Sequence, residues 1–251
     1  MGNLRLSASI RSWNNTEDDK MYAALQRMGY AGLEMDPVRV FPEETYAHQT
    51  GAALFAGYLY QSFGLQVAAL SPVLMGLGRA AADAQEAERL ENIVGGVCRF
   101  GASCRCNTLV MPCTTLPDEH FLQTCGFLTA QYQCTLLLEP QAGLSVRDTC
   151  RFVKQQGVPG VAVSLNVATL LANGETMTDL VEYLPQIGHV RICELDGSAI
   201  QPHSVHRELS LLLGGLGYQG WISVEMAPQE PETALQALQY VADTFSAASV
   251  Y

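Results

Sequence analysis

Four glutamates stand where apolar runs end: Gly32-Leu-Glu34, Leu136-Leu-Leu-Glu139, Val190-Arg-Ile-Cys-Glu194 and Ile222-Ser-Val-Glu225. Carboxylates that converge can bind a cation, exchange protons as acid and base, or pair with basic side chains. Left isolated and buried they would be costly. Glu139 and Glu225 are the strongest candidates for proton transfer. Each ends a hydrophobic run and is followed within three residues by a proline, Pro140 or Pro228, which favours extended backbone before it. Glu34 and Glu194 read equally as site residues or as acids with a structural place, solvated in a loop or at a helix start. Arg191 precedes Glu194 on one run, and His189 shares its face roughly 6 to 7 Å deeper at ~3.3 Å per residue, as a core or rim histidine. His203 and His206 fall where a helix begins, read as solvated loop residues or as site residues. The eight cysteines lie mostly in apolar or helical segments, where a thiol acts as a small hydrophobe. Cys104 and Cys106 form a lone C-x-C pair that lacks the further ligands of a zinc knuckle.

Something must bring residues so far apart in sequence to one place. Short β-rich runs near Leu4–Ser9, Ala31–Met35, Gln66–Leu70, Thr108–Met111, Thr135–Glu139, Gly160–Leu165, His189–Glu194 and Trp221–Glu225 alternate with helical stretches. Those stretches fall at about 17–29, 43–63, 80–101, 117–132, 145–156, 175–186, 205–216 and 231–246. Strand and helix in alternation signal parallel βαβ units. Eight such units in one chain predict a single-domain (β/α)8 TIM barrel over residues 1–251, with its chemistry at the C-terminal ends of the strands. An open doubly wound sheet is the competing topology, and it lacks a Gly-x-Gly-x-x-Gly turn after the first strand. Thr16-Glu-Asp-Asp19 supplies a capping hydroxyl and acids for the first helix. Gly29, Gly64, Gly101, Gly157 and Gly217 each read as closing a helix before an apolar run. The first strand alternates Leu4, Leu6 and Ala8 with Arg5, Ser7 and Ser9, unlike the nearly continuous apolar sixth.

The chain carries 14 Lys+Arg against 25 Asp+Glu, a net charge of −11 with no local basic stripe. That field repels a phosphate backbone and argues against a nucleic-acid partner. No stretch reaches the ~18 to 20 apolar residues of a membrane span, and no signal segment opens the chain. A soluble, cytoplasmic protein is the expectation, as the unpaired cysteines also suggest.

Further motifs extend along the whole length: Leu6-Ser-Ala-Ser-Ile-Arg-Ser-Trp13, Met28-Gly-Tyr-Ala-Gly-Leu-Glu34, Leu138-Glu-Pro140, Leu171-Ala-Asn-Gly-Glu175, Ile187-Gly-His-Val-Arg-Ile-Cys-Glu194 and Leu216-Gly-Tyr-Gln-Gly-Trp-Ile-Ser-Val-Glu225. Together they resemble the xylose isomerase-like TIM barrel superfamily, which includes sugar phosphate isomerases and epimerases and hydroxypyruvate isomerase-like proteins. The resemblance implies a divalent metal held by Glu, Asp, His and Glu at four strand ends. Glu139 and Glu225 match the outer two positions, but Asn166 stands in the Asp place and Arg191 in the His place. Asn offers one neutral oxygen, whereas Arg has no lone pair and carries a fixed charge. Two outcomes follow. In the favoured one no metal cofactor is used, and the Arg191 guanidinium takes the cation's place among the glutamates. In the other, Arg191 swings aside and His189 or Glu194 helps hold manganese or magnesium.

The resemblance implies an isomerase or epimerase of a small sugar or hydroxy-carbonyl compound, with Glu139 and Glu225 moving protons through an enediolate. Trp13, Glu34, Asn166, Arg191, Glu194 and His206 are the expected substrate-binding residues. Trp13 stands where an aromatic could stack on a sugar ring, or simply pack a loop against the barrel. The alternative is a non-catalytic sugar-binding member that has lost its metal site. Abasic-site endonucleases share the superfamily, but their several metals and DNA substrate do not suit this chain. The expected partner is a small sugar-like molecule, with no membrane, and a homo-oligomer is compatible with the chain.

Overall fold

The computed structural model describes residues 4–79 and 81–246. Eight parallel strands close on themselves in sequence order: β1 Arg5–Ser9, β2 Gly32–Met35, β3 Gln66–Leu70, β4 Thr108–Cys113, β5 Thr135–Pro140, β6 Val161–Asn166, β7 Ile187–Ile192 and β8 Trp221–Val224. The closing pair is β1 with β8, in which Leu6 lies beside Ile222 and Ser7 beside Ser223. The expected (β/α)8 barrel is the observed one, and closure leaves no sheet edge needing protection.

The outer ring is built from α1 Asp18–Arg27, α3 Gln49–Phe63, α4 Ala84–Ser103, α5 Glu119–Gln131, α6 Val146–Gln156, α9 Ser204–Gly215 and α10 Pro231–Ser246. Between β6 and β7 the ring is completed by α8 Met177–Leu180 and a 3-10 turn over Val181–Gln186. Side-chain caps start several of these helices: Asp83 accepts from Glu86 N at 2.9 Å, and Ser145 from Asp148 N at 3.0 Å. Two short helices escape the sequence reading, α2 Pro37–Val40 and α7 Val167–Ala172. Each follows its strand almost directly, starting from Asp36 or Asn166 as the capping residue.

Three local expectations need correction. Gly101 lies inside α4, where a side chain would press on the Cys106 carbonyl at 3.1 Å, so it serves close helix packing. Arg105, with φ 57°, makes the left-handed turn that follows. α1 has no side-chain cap, and Asp18 turns instead toward the barrel mouth. In β1, Ser7 and Ser9 are as buried as Leu6 and Ala8. The alternation there separates the barrel interior from the layer beneath the helices, rather than core from solvent. Among the described residues no helix is long and apolar enough to cross a membrane.

Candidate active site

The barrel interior changes character along its axis. Apolar side chains such as Leu137, Val110 and Ala69 pack together in one buried cluster. Toward the C-terminal ends of the strands a polar layer replaces them. His189 is fully buried, with Nδ1 2.9 Å from Ser164 Oγ and Nε2 2.8 Å from Ser223 Oγ. Ser223 Oγ in turn bonds Ser7 Oγ, and Ser164 donates to Glu139 Oε2 at 3.0 Å. Every hydroxyl and imidazole of this layer has a partner, which is the condition for burying them cheaply.

Above the layer lies Arg191, its side chain only 5% exposed. Nη2 donates to Glu34 Oε1 at 2.8 Å and to Ser71 Oγ at 2.6 Å, and Nη1 donates to Glu139 Oε1 at 3.1 Å. Glu225 Oε2 stands 3.0 Å from the same Nη1, near enough for an ion pair but off the hydrogen-bonding direction. Three carboxylates from the ends of β2, β5 and β8 thus meet one guanidinium from β7. Burial alone would lower the Arg191 pKa, but Glu139, Glu225 and Glu34 raise it well above its ordinary value. The cation is permanent.

The carboxylates differ sharply. Burial pushes the Glu34 carboxyl up, yet Arg191 and His189 outweigh it and hold the group down at about 2. For Glu225 burial prevails: it drives the carboxyl up to about 7, with Arg191 and Arg11 opposing and Glu34 and Glu139 reinforcing. Glu139 is 1% exposed and both its oxygens accept hydrogen bonds, Oε1 from Arg191 and from Gln141 Nε2 at 3.2 Å, Oε2 from Ser164. Glu225, at 18% side-chain exposure, stands at the junction of two open cavities. One, about 360 Å³, includes Glu139, Gln141, Asn166, Arg191, Cys193 and Glu194 in its wall. The other, about 510 Å³, is lined on its far side by Arg11, Trp13, Asp36 and Arg39. Both share Gly197, Met226 and Ala227.

No protein-family model matches the chain, and no curated protein matches it in sequence. Solved structures do match in shape. The 3-keto-D-glucoside 4-epimerase YcjR from E. coli superposes with a TM-score of 0.71 at 13% identity, over 96% of this chain and 100% of its own. D-psicose 3-epimerase from Clostridium cellulolyticum H10, solved with D-tagatose, gives 0.71 at 11% identity, over 98% and 99%. A xylose isomerase domain protein from Alicyclobacillus acidocaldarius gives 0.71 at 16% identity, over 98% and 99%. The fold is that of the xylose isomerase-like TIM barrels.

The sequence resemblance implies a divalent metal where the strand-end carboxylates meet, but the donor set here does not fit one. Arg191 lies among Glu34, Glu139 and Glu225 with four side-chain oxygens within 3.1 Å. Asn166 Oδ1 accepts from Thr169 N at 3.0 Å as the cap of α7 and from Cys193 Sγ at 3.2 Å. The Cys193 thiol, pushed up to about 12 chiefly by burial, offers no thiolate. Among the described residues no group of three or more His, Cys, Asp or Glu is arranged to hold a metal ion.

Glu139, Arg191, Asn166, Glu194 and Glu225 come together on one cavity. Glu194 lies at its rim and accepts from Gln201 N at 3.2 Å. The other expectations need correction. Glu34 is at 0% exposure beneath Arg191, so it braces the guanidinium and presents no surface to a ligand. Trp13 is 1% exposed, its indole T-shaped against Tyr22 and its Nε1 donating to Asp18 at 2.8 Å, so it packs the loop after β1 against the barrel and contributes to the cavity wall without standing open as a stacking platform. His206 is buried between α9 and α10, where Nδ1 meets Tyr240 Oη at 3.2 Å, and burial lowers its pKa to about 4. It braces two helices outside the mouth. His189 stays in the core, two hydrogen bonds deep, without reaching either cavity.

Sequence reasoning missed Arg11, Ser71, Gln141 and the serines of the polar layer as site residues. Arg11 had a signal: it lies two residues past Ser9, the end of the first strand. Ser164 and Ser223 also had one, as hydroxyls interrupting apolar strands on the same face as their partners. Ser71 had none, because its role depends on how far Arg191 reaches across the barrel.

Proposed function

We propose that the protein is a metal-independent isomerase of a small hydroxy-carbonyl compound of the sugar type, with Glu225 as the proton carrier. The observation that carries this reading is the place of the Glu225 carboxyl, open to both cavities and 3.0 Å from Arg191, where burial also raises its pKa to about 7. A carboxyl near neutrality can both take and return a proton at working pH. Glu225 would remove the proton from the carbon beside the carbonyl while the carbonyl π electrons move onto oxygen. The fixed charge of Arg191 would stabilise the resulting enediolate. Return of that proton to the neighbouring carbon, with a hydroxyl proton passing to the new alkoxide, completes an aldose–ketose interchange without any oxidant or reductant.

Glu139 is assigned a positioning role. Its hydrogen bonds from Arg191, Gln141 and Ser164 occupy most of its acceptor sites and tie it to the guanidinium it positions. Epimerisation at one carbon calls for an acid on the opposite face, so proton transfer through Glu225 alone favours isomerisation between adjacent carbons. Support for the sugar class comes from the shared fold, whose solved members include sugar epimerases. A second reading is a non-catalytic sugar-binding barrel, favoured by the internal pairing of Glu139. Deuterium incorporation decides between them: an aldose and ketose panel incubated in D2O with EDTA and followed by proton NMR should lose signal beside the carbonyl. Binding of a panel member with no exchange in any would favour the second reading.

A further inference from the structure

The larger cavity is lined by two arginines whose N–H groups are only partly hydrogen-bonded within the protein. Arg11 follows β1, its side chain 44% exposed. Its guanidinium approaches Asp36 and Glu225 at 3.7 and 3.5 Å, and among the described residues it donates no side-chain hydrogen bond at all. Arg39, on α2, spends Nη2 on Asp18 at 2.7 Å and on the Trp13 carbonyl at 3.4 Å, while its buried Nη1 has no partner among the described residues. Two of the acceptor oxygens beside them are committed elsewhere, while Asp36 Oδ2 and Glu225 Oε1 face Arg11 only at ion-pair distance. Asp18 Oδ1 takes both Arg39 and the Trp13 indole, and Asp36 Oδ1 caps α2 through Val38 N at 3.0 Å and Arg39 N at 3.3 Å.

The walls are also fixed. Met226 N donates to Ser12 Oγ at 3.1 Å, Gln229 N to the Ser12 carbonyl at 3.0 Å and Ala227 N to the Gly197 carbonyl at 2.8 Å. These bonds tie the loops after β1, β7 and β8 around the cavity. A pocket with surplus N–H donors and a rigid rim is matched by a ligand that brings acceptor oxygens, and a guanidinium fork fits an oxyanion best.

We propose that this cavity is an oxyanion subsite, in which Arg11, backed by Arg39, holds a carboxylate or phosphate group of the same small molecule that Glu225 acts on. The subsite rests on the isomerase reading only in placing the reacting carbon beside Glu225. It makes the ligand an acidic sugar derivative rather than a neutral sugar. In a chain of net charge −11 the anion would gain nothing from the overall field, so its recognition is local to Arg11.

Calorimetric titration of the full chain with paired probes tests this: D-glucose against D-glucuronate, and D-fructose against D-fructose 6-phosphate. At least one acidic probe should bind about tenfold or more tightly than its neutral partner, as charge-assisted hydrogen bonds provide. The arm that responds separates carboxylate from phosphate. R11Q should abolish the preference, and R207Q, on the exposed face of α9, should keep it. The proposal is overturned if acidic and neutral partners bind alike, if R11Q retains the preference, or if no acidic probe binds at millimolar concentration. Failure of these arms would leave deuterium exchange into neutral sugars to stand or fall separately.

Discussion

Two arginines at one barrel mouth are handled in opposite ways. Arg191 is sunk among three carboxylates and a serine, all within 3.1 Å of its guanidinium. Arg11 lies on the other side of Glu225, exposed, with its nearest carboxylates beyond hydrogen-bonding distance. Glu225 separates these surroundings and belongs to both. The first arginine holds the site together; the second is left available. Position at a strand end therefore does not define a role, and the partners already taken do.

The contrast predicts a graded set of responses. R191M should be the most damaging change, because it leaves buried carboxylates without their cation. Breaking a buried pair in this way costs about 3–5 kcal/mol, and the urea midpoint should fall accordingly. An unchanged midpoint would show that the cluster is not paired as described. E225Q should leave the midpoint near that of the parent protein below about pH 4.5, where Glu225 is protonated in both states, and should reduce deuterium exchange at neutral pH by roughly 10² to 10⁴. Exchange at the parental rate would remove Glu225 from the chemistry.

Stability should also depend on pH with two opposing arms. Glu34, depressed to about 2, contributes stability that is complete above its unfolded value near 4.5 and is lost as pH falls toward 2. Glu225, raised to about 7, binds more protons folded than unfolded, so its contribution is complete below about 4.5 and is lost as pH rises through 7. A thermal-melt series should therefore decline between about pH 4.5 and 7, and E225Q should flatten that decline. Should the slope persist in E225Q, another group titrates there. The smallest effect belongs to Arg11: with no side-chain hydrogen bond to lose, R11Q should change stability within about 0.5 kcal/mol. A larger loss would place Arg11 in the structural network with Arg191.

How much of this was legible in the sequence follows from the range of the forces involved. The eight strands were visible because buried parallel strands are apolar runs of their own, and helical stretches separate them. The pairing of Glu139 and Glu225 with Arg191 was readable as a charge substitution at matched strand ends. α2 and α7 were not, since four- and six-residue helices lack the periodicity that marks a longer one. Glu34 looked like a strand-end acid facing ligand, but the reach of Arg191 across the barrel covers it. Trp13 and His206 carried residue types associated with sites, and only burial shows that Asp18 and Tyr240 have claimed them. The serine and histidine layer beneath Arg191 depends on register between strands distant in sequence, which pattern alone does not give.

The central claim is that a guanidinium tethered to β7 stands where the sequence resemblance implies a metal ion. Titration of the purified chain with Mn²⁺, followed by electron paramagnetic resonance of the free ion, tests it most directly. The unmodified protein should take up no stoichiometric manganese, whereas the double variant R191H/N166D, with Asp still able to cap α7, should bind about one ion per chain. Stoichiometric uptake by the unmodified protein that disappears in E139Q or E225Q would contradict the claim and make the site an ordinary metal centre.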